Sequence, residues 1–561
     1  MNKRTIISLL TAVFTLSASS QAEREESNAM GQISITTDSM LTPQRKVTAH
    51  MTAQGYDGCI GIKLRGNSSL SFNQKKYTIE LRDTHGREVE ASLSGMPPHS
   101  DWVLLAPYND VSAVRDPLAF QLWRDMGHWA PRTRMVEMTL NGNYQGIYIL
   151  SEAIKRDHNR VNIAKLKSSD VEGNDVTGGY ILRIDTYKDD DATFPSKVPG
   201  IGDGIMTSQI TWSCIYPKKK NLQLEQFSYI KNFVDSMEQA IQAEDFTDPQ
   251  HGYARYIDVP SFVDYFIHTE LSLNADGYKR SAYFYKDKKR TGSQSGKLMA
   301  GPVWDYNLAY GNCNFCNAAN PEAWCFEGGN TQPTPALWQR LLQDPAFRKA
   351  VKERYQALRK GPLSNEHINT YIDRHAKLLE PFIGRHFEKY PELLTDNKQT
   401  HPTPGFPKQG TIPQMGAHHG MGGFPFMAAP PNTGGFPNMG TPPNTGGFPN
   451  MGTPPNMGGF PNMGVPPNMG DFPDMGSFGA GNAISWFAAY RVSSYEEEIA
   501  VLKQWLANRL AFLDRNIERF DTDWEPRIQT PKEIKMPQFG NGGSTSPYPF
   551  PPVFPMFGPS F

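Results

Sequence analysis

Residues 59–81, CIGIKLRGNSSLSFNQKKYTIEL, carry the pattern that decides the fold. Side chains alternate with period two from Cys59 to Leu64 and again from Tyr77 to Leu81, as half-buried strands require. Between them Arg65-Gly66-Asn67-Ser68-Ser69 is a polar, glycine-containing turn, so the stretch reads as a hairpin-like pair. Upstream, Ile33-Ser34-Ile35-Thr36 alternates in the same way. Downstream, Leu118, Leu122 and Met126 fall at helical spacing within a segment that ends at Gly127, and strands Met135–Leu140 and Gly146–Leu150 flank the turn Asn141-Gly142. Residues 31–160 are therefore read as strands, one helix, then strands.

Beyond Leu222 the period changes. Phe227, Ile230, Phe233, Val234 and Met237 share one helical face, and Phe262, Tyr265, Phe266 and Thr269 another. A strand pair returns at Ser281–Lys286 and Lys297–Val303, followed by helices to about residue 395. At the far end, Ser494-x-x-Glu497 reads as a capping box that opens a helix with the stripe Ile499, Leu502, Leu506, Leu510, Leu513, Ile517 and Phe520.

Composition divides the chain of 561 residues. Positions 431–476 hold 11 Pro and 11 Gly, too many for a ladder, a helix or a packed core. There a twelve-residue unit, Gly434-Gly435-Phe436-Pro437-Asn438-Met439-Gly440-Thr441-Pro442-Pro443-Asn444-Thr445, recurs from Gly446 and Gly458 and in part from Gly470. The expected organisation is a leader over 1–22, a folded body over 31–400 completed by 483–530, a low-complexity, disordered insertion over 401–482, and a disordered Pro/Phe-rich tail over 531–561.

The leader reading rests on Lys3 and Arg4 before the apolar stretch Ile6–Leu16 and on the small-x-small site Ser20-Gln21-Ala22. It implies export, to the cell surface, periplasm or medium. Eleven apolar-biased residues are too few to span a bilayer, and no later stretch reaches the roughly 18 of a transmembrane segment. The formal net charge is −1, which excludes the basic field of a general nucleic-acid binder. Five cysteines are few for an exported chain of this length. Cys313, Cys316 and Cys325 are close enough in sequence for a local disulfide, which oxidising surroundings favour over metal thiolates, while spacing leaves open whether Cys59 and Cys214 pair.

Three segments concentrate chemistry. The turn Arg65–Ser69 with Lys75-Lys76 can hold phosphates through backbone N–H groups and cations. Asn274-x-Asp276 leaves a helix with Lys279, Arg280 and Ser281 beside it. Asp305 and Asn307 emerge just past a strand. A lysine on an early strand, an Asp after a helix and a second Asp 29 residues on, beyond a strand pair, follow the order of working parts that phosphoryl transfer needs: a cation on the α/β-phosphates, a carboxylate for the attacking hydroxyl, and oxygen ligands for Mg²⁺. GxGxxG, His-Arg-Asp and Asp-Phe-Gly are all missing from the sequence, which excludes an ordinary protein kinase.

Seven collinear motifs add to this reading. They are Arg65-Gly66-Asn67-Ser68-Ser69 with Lys75-x-Tyr77, Val114-Arg115-Asp116, Ala130-Pro131-Arg132-Thr133, Leu140-Asn141-Gly142-x-Tyr144-x-Gly146-Ile147-Tyr148, Gly178-Gly179-Tyr180-Ile181-Leu182, Asn274-x-Asp276, and Gly301–Asn312. In them the chain resembles the spore-coat kinase (CotH) family from about residue 60 to 315. The resemblance implies an α+β, two-lobed atypical protein-kinase-like fold with a strand-rich N-lobe and a mainly helical C-lobe. It also implies ATP and Mg²⁺ or Mn²⁺ as cofactors, and a Ser or Thr of a secreted or surface protein as acceptor. Carried onto this chain, Asp276 takes the catalytic position and Asp305 the metal position. Lys75 contacts the ATP phosphates, chosen over Lys76 because it shares strand parity with Tyr77, Ile79 and Leu81; Arg65, Asn67 and Ser68 complete the nucleotide site. Ser281 stands where kinases place a second metal ligand, so Asn307 is a substitute. The competing reading is a surface adhesin or matrix protein on the same fold, with the Phe/Met/Pro repeat and the tail Pro547-Tyr548-Pro549-Phe550-Pro551-Pro552 as its contacts.

Overall fold

The computed structural model describes residues 29–186, 191–201, 210–289, 296–314, 316–327, 334–395 and 489–522. The leader, the insertion over 401–482 and the tail over 531–561 lie outside the described residues.

The alternating segments of the N-terminal third become Gly31–Thr36 (β1), Val47–Ala53 (β2), Tyr56–Arg65 (β3), Lys76–Leu81 (β4), Asp101–Leu105 (β5), Thr133–Leu140 (β6) and Asn143–Glu152 (β7). They join in the order β1-β2-β3-β4-β5-β7-β6, and parallel pairing of β1 with β6, Gly31 opposite Val136, closes them into a barrel. Local patterning cannot foresee that closure, because the partners lie about a hundred residues apart. Within it the expected hairpins form in register: Arg65 faces Lys76 across β3 and β4, and Asn141 and Gly142 turn with φ 51° and 77°, the paired positive φ that the tight β6–β7 connection demands.

Strand parity then decides what fills the barrel. Ile60, Ile62, Tyr77, Ile79, Leu81, Trp102, Leu104, Tyr148 and Leu150 point inward and form its core. On β5 to β7 the outward residues Val103, Leu105, Met135, Ile147 and Ile149 are apolar as well, and they join the main core of the molecule. A helix over Arg115–Asp125 (α1) contributes Leu118, Leu122 and Trp123 to that same core.

The second sheet has the order β13-β12-β8-β11-β9, built from Tyr180–Ile184 (β8), Ala192–Pro195 (β9), Thr211–Tyr216 (β11), Ala282–Lys286 (β12) and Leu298–Ala300 (β13); Gly200–Ile201 (β10) pairs with Thr334–Pro335 (β14). Strand β13 stops short of the expected Val303, since Gly301 turns with φ 98° and Pro302 has no N–H to give a ladder. Helices Leu224–Gln242 (α2) and Val259–Ser272 (α3) pack with this sheet, and α3 is buried at every position from Ser261 to Ser272.

Helices Leu337–Leu341 (α4), Pro345–Arg359 (α5) and Asn365–Lys389 (α6) follow, and Tyr495–Ile517 (α7) completes the body. Thr395, at the end of one described segment, donates to the Val492 carbonyl through both N–H (2.9 Å) and hydroxyl (3.0 Å). At the start of α7 the capping box is displaced: Ser494 Oγ accepts the Glu497 N–H, but the Glu497 carboxylate takes the N–H and hydroxyl of Ser493 instead of Ser494. The architecture is thus α+β. Cys59, Cys214 and Cys325 are thiols, so Cys59 and Cys214 are not paired; Cys325 Sγ approaches the Asn274 carbonyl and Lys279 Nζ lies 3.4 Å from Cys316 Sγ.

Helix α6 meets the barrel through His386, whose Nδ1 accepts the Ile147 N–H at 3.1 Å, through Tyr390 on the Gln145 carbonyl, and through an Arg385–Glu137 ion pair. Burial holds the His386 imidazole down at about 4, with Glu392 opposing, and the buried rings of His268 and His375 are likewise held down at about 4. Below the ordinary histidine pKa of about 6.5 the unfolded chain binds protons that the folded chain refuses, so stability is fully present above that value and falls as pH drops toward 4. For His386 alone the loss is on the order of 3 kcal/mol at the acid end of that window. His386→Phe, with no ring proton to gain, should therefore lose less thermal stability than the parent between pH 7 and pH 5, whatever the buried carboxyls contribute to both.

Candidate active site

A cavity of about 600 Å³ lies against the outer face of β3 and β4, lined by the 65–69 turn, by segments after β7 and β8, and by the loops that follow α3 and β13. Its size suits a nucleotide-sized ligand. Eight of the lining residues are cationic (Lys46, Lys63, Arg65, Lys76, Lys155, Arg183, Lys218 and Arg280), against four carboxylates (Asp101, Asp185, Asp276 and Asp305). The excess of positive charge favours a polyanion. An apolar portion comes from Val103 and Leu105, from Ala153 and Ile154 just past β7, and from Ile215.

Arg65, Asn67, Ser68, Lys76, Asp276, Ser281, Asp305 and Asn307 all line this cavity. Lys75 does not: its Nζ donates to the Leu70 carbonyl at 2.7 Å, and partial burial lowers its pKa. The parity that Lys75 shares with Tyr77, Ile79 and Leu81 is the parity of the barrel interior, where no ligand can enter. The opposite parity, Lys76 and Thr78, faces the cavity. Lys76 Nζ stands 3.6 Å from Asp305 Oδ1, and across the ladder Arg65 lies over the Trp304 ring at 5.1 Å. Gly66 has φ 132°, and a Cβ there would fall 2.1 Å from Ser69 Oγ, so the turn closes only around glycine.

The loop after α3 holds Asp276 by its backbone. Leu273 ends the helix in the left-handed region, Asn274 Oδ1 accepts the Asp276 N–H, and the Asp276 carbonyl receives the N–H groups of Lys279 and Arg280. Tyr278 and Ser281 also have positive φ, 67° and 47°, a concentration of strained backbone that packing must hold. Tyr278 is pinned by its hydroxyl on Glu270. Asn274 spans the site: its amide nitrogen reaches the Asp305 carbonyl at 3.3 Å.

Asp305, itself at φ 65°, begins the third segment. The next N–H, of Tyr306, donates to Asp116 Oδ1 at 2.5 Å, and Asn307 gives its amide nitrogen to Asn109 Oδ1 at 2.9 Å, which leaves its amide oxygen for a ligand. Burial raises the Asp276 carboxyl to about 6, Arg280 opposing and Asp305 adding to the rise. Burial and then Asp305 raise Asp116 to about 7, against Lys76. Asp185 is raised by burial too, with Arg183 opposing and Asp305 adding. Three carboxylates thus feel the charge of Asp305.

Asp185 and Arg183 escaped the sequence reading, and so did the cations Lys46, Lys63, Lys155 and Lys218 as cavity groups. The signal for the first two was present: two charges at i and i+2 close an otherwise apolar strand, so both leave it on one face.

A divalent cation fits these residues. Asp305 and Asn307 supply hard oxygens, and the mutual repulsion around Asp305 is what a cation would relieve. Among the described residues no three acidic, histidine or cysteine side chains form a ready-made cage.

Two substitutions separate the lysines. Lys76→Ala should weaken binding of ATP at least tenfold in isothermal titration, whereas Lys75→Ala should leave it within about twofold; equal losses in both would place the phosphates elsewhere.

Comparison with known proteins bears on the same segments. The family described as CotH kinase protein matches residues 62–404, which include Arg65, Lys76, Asp276 and Asp305. Inner spore coat protein H of Bacillus subtilis (strain 168) is 20% identical over 328 residues, covering 58% of this chain and 77% of that protein. The crystal structure of the Helicobacter pylori proinflammatory kinase CtkA aligns over 54% of this chain and 90% of its own, at 12% identity and a TM-score of 0.23.

Proposed function

The chain belongs to the CotH kinase protein family, and we propose that it transfers the γ-phosphoryl group of ATP to a serine or threonine hydroxyl of a secreted or surface protein. The observation that carries this reading is the convergence of Lys76, Asp276 and Asp305, from three separate segments, on one cation-rich cavity. On this reading the barrel is the N-lobe and the second sheet with its helices is the C-lobe.

Lys76, Arg65 and the turn Gly66–Ser69 receive the phosphates, and the apolar lining around Val103, Ile154 and Ile215 receives the base. Asp305 and Asn307 would hold Mg²⁺ or Mn²⁺, which would supply neutralisation of phosphate charge; Ser281, with a weaker oxygen, shares the cavity lining. Asp276 accepts the hydrogen bond of the acceptor hydroxyl. At neutral pH a carboxyl raised to about 6 is mostly ionised, yet more basic than an ordinary Asp, and so suited to take the proton as the bond from oxygen to phosphorus forms and ADP departs. Arg280 beside it keeps that carboxylate from being neutralised by burial alone.

The leader-like residues 1–22 support export, and the name of the Bacillus relative supports a coat or surface destination. No helix among the described residues is long and apolar enough to cross a membrane. The Phe/Met repeat is proposed as a contact for a surface or matrix partner, in addition to the catalytic body rather than in place of it.

Labelled ATP with Mg²⁺ or Mn²⁺ tests the roles. Asp276→Asn should keep ATP affinity within a few-fold yet lower phosphate incorporation about 10²-fold or more, because a proton acceptor acts mainly in the transition state. Asp305→Asn should lose metal-dependent binding and incorporation together. Unchanged incorporation in Asp276→Asn would remove it from the chemistry.

A further inference from the structure

Helix α7 lies nearly two hundred residues beyond Asp305 in sequence, yet it carries two buried charges that end next to the site. Glu498 and Arg509 are eleven residues apart, three helical turns, so they share one face with Leu502 and Trp505 between them. All four are at most 2% exposed.

At the N-terminal end of that face, Glu498 Oε1 lies 2.6 Å from Arg115 Nη1, and Asp110 Oδ1 is equally close to the same nitrogen. Tyr490 accepts from Arg115 Nη2 at 2.7 Å and donates to Glu498. The third arm of Arg115, Nε, donates to the Ala309 carbonyl at 3.1 Å. Its neighbour Asp116 takes the Tyr306 N–H. The dipeptide Arg115-Asp116 therefore grips the segment after Asp305 at two points, Tyr306 and Ala309.

Farther along the face, Trp505 packs on Gly311, where φ is 79° and a Cβ would sit 2.5 Å from the indole, and Trp505 Nε1 donates to Ala319. Arg509 donates to the Glu270 carbonyl through Nε, and its Nη2 lies 3.3 Å from Glu270 Oε2. Glu270 is the group that holds the Tyr278 hydroxyl, two residues past Asp276.

We propose that Glu498 and Arg115 are positioning residues for Asp305, and that α7 is a working part of the active site which sets where the metal-bearing segment lies. The inference rests on the assignment of Asp305 to a divalent cation given above. A buried guanidinium with two carboxylates at 2.6 Å and a backbone carbonyl at 3.1 Å fixes its neighbours firmly, because each partner compensates part of the desolvation of the others. Loss of the Glu498 charge leaves Arg115 under-neutralised and one anchor short, free to pivot about its contact with Asp110, which releases the Ala309 carbonyl.

Glu498→Gln in the full chain tests this, since the amide keeps the shape and one acceptor. Mn²⁺ binding, read by electron paramagnetic resonance with a non-hydrolysable ATP analogue present, should weaken at least fivefold, while nucleotide affinity without metal stays within twofold. Arg515→Ala, an exposed α7 residue paired with Glu322, should change neither. A folded Glu498→Gln protein with parental Mn²⁺ affinity and only a lower thermal midpoint would overturn the proposal. If Glu498→Gln does not fold, Tyr490→Phe carries the same test, with a two- to threefold weakening expected and unchanged Mn²⁺ affinity overturning the proposal. A parent that binds Mn²⁺ and nucleotide but transfers no phosphate refutes the kinase reading, and the Mn²⁺ comparison still decides the role of Glu498.

Discussion

Asp305 and Lys76 stand 3.6 Å apart, one after β13 and the other at the start of β4, and much of the molecule serves to keep this pair where it is. The charge of Asp305 adds to the rise that burial gives the carboxyls of Asp116, Asp185 and Asp276. Burial in low dielectric enlarges the repulsion. The site remains a site because cations are distributed around it: Lys76 on the ladder, Arg183 beside Asp185, Arg280 beside Asp276. Removal of any one shifts the balance for the others, so these residues are better regarded as one electrostatic unit than as separate contacts.

Backbone geometry is the second condition. Leu273, Tyr278, Ser281 and Asp305 all take left-handed φ without being glycine. Such residues persist only where the surroundings over-determine them. Here the surroundings are identifiable: the Asn274 side chain that bridges both loops, the Tyr278 hydroxyl on Glu270, and the Tyr306 N–H on Asp116. Buried charge on α7 and α1 stands behind these contacts, which ties the chemistry at the cavity to packing well away from it.

How much of this was legible in the sequence depends on the range of the interaction. Hairpins, the Asn141-Gly142 turn, helix α1 and the apolar stripe of α7 could be read because each depends on residues a few positions apart. Asp276, Asp305, Asn307 and the 65–69 turn were singled out because their order matches a chemical need and a family pattern, and the fold brings them to one cavity. Lys75 was preferred to Lys76 because parity was judged against the wrong face: in a barrel whose interior is packed solid, the residues that share parity with Tyr77 and Ile79 are the ones no ligand reaches. Barrel closure through β1 and β6 was not legible at all, since parallel pairing across a hundred residues leaves no local signature. Arg183 and Asp185 were missed for a lesser reason: a strand that ends in two charges on one face was noted only for its apolar part. The buried pairs of Arg115 with Glu498 and of Arg509 with Glu270 were hidden by distance in sequence, although charges on an apolar helical stripe are a visible anomaly.

The double hydrogen bond between Thr395 and Val492 fastens the residues after α6 to those that lead into α7. Tyr490, two positions before Val492, sits on Arg115 and Glu498, and Arg115 in turn holds the Ala309 carbonyl. The seam at which the described body is stitched together is thus also the place where the segment after Asp305 is braced, so a change on either side of that seam is felt at the cavity through a short run of hydrogen bonds.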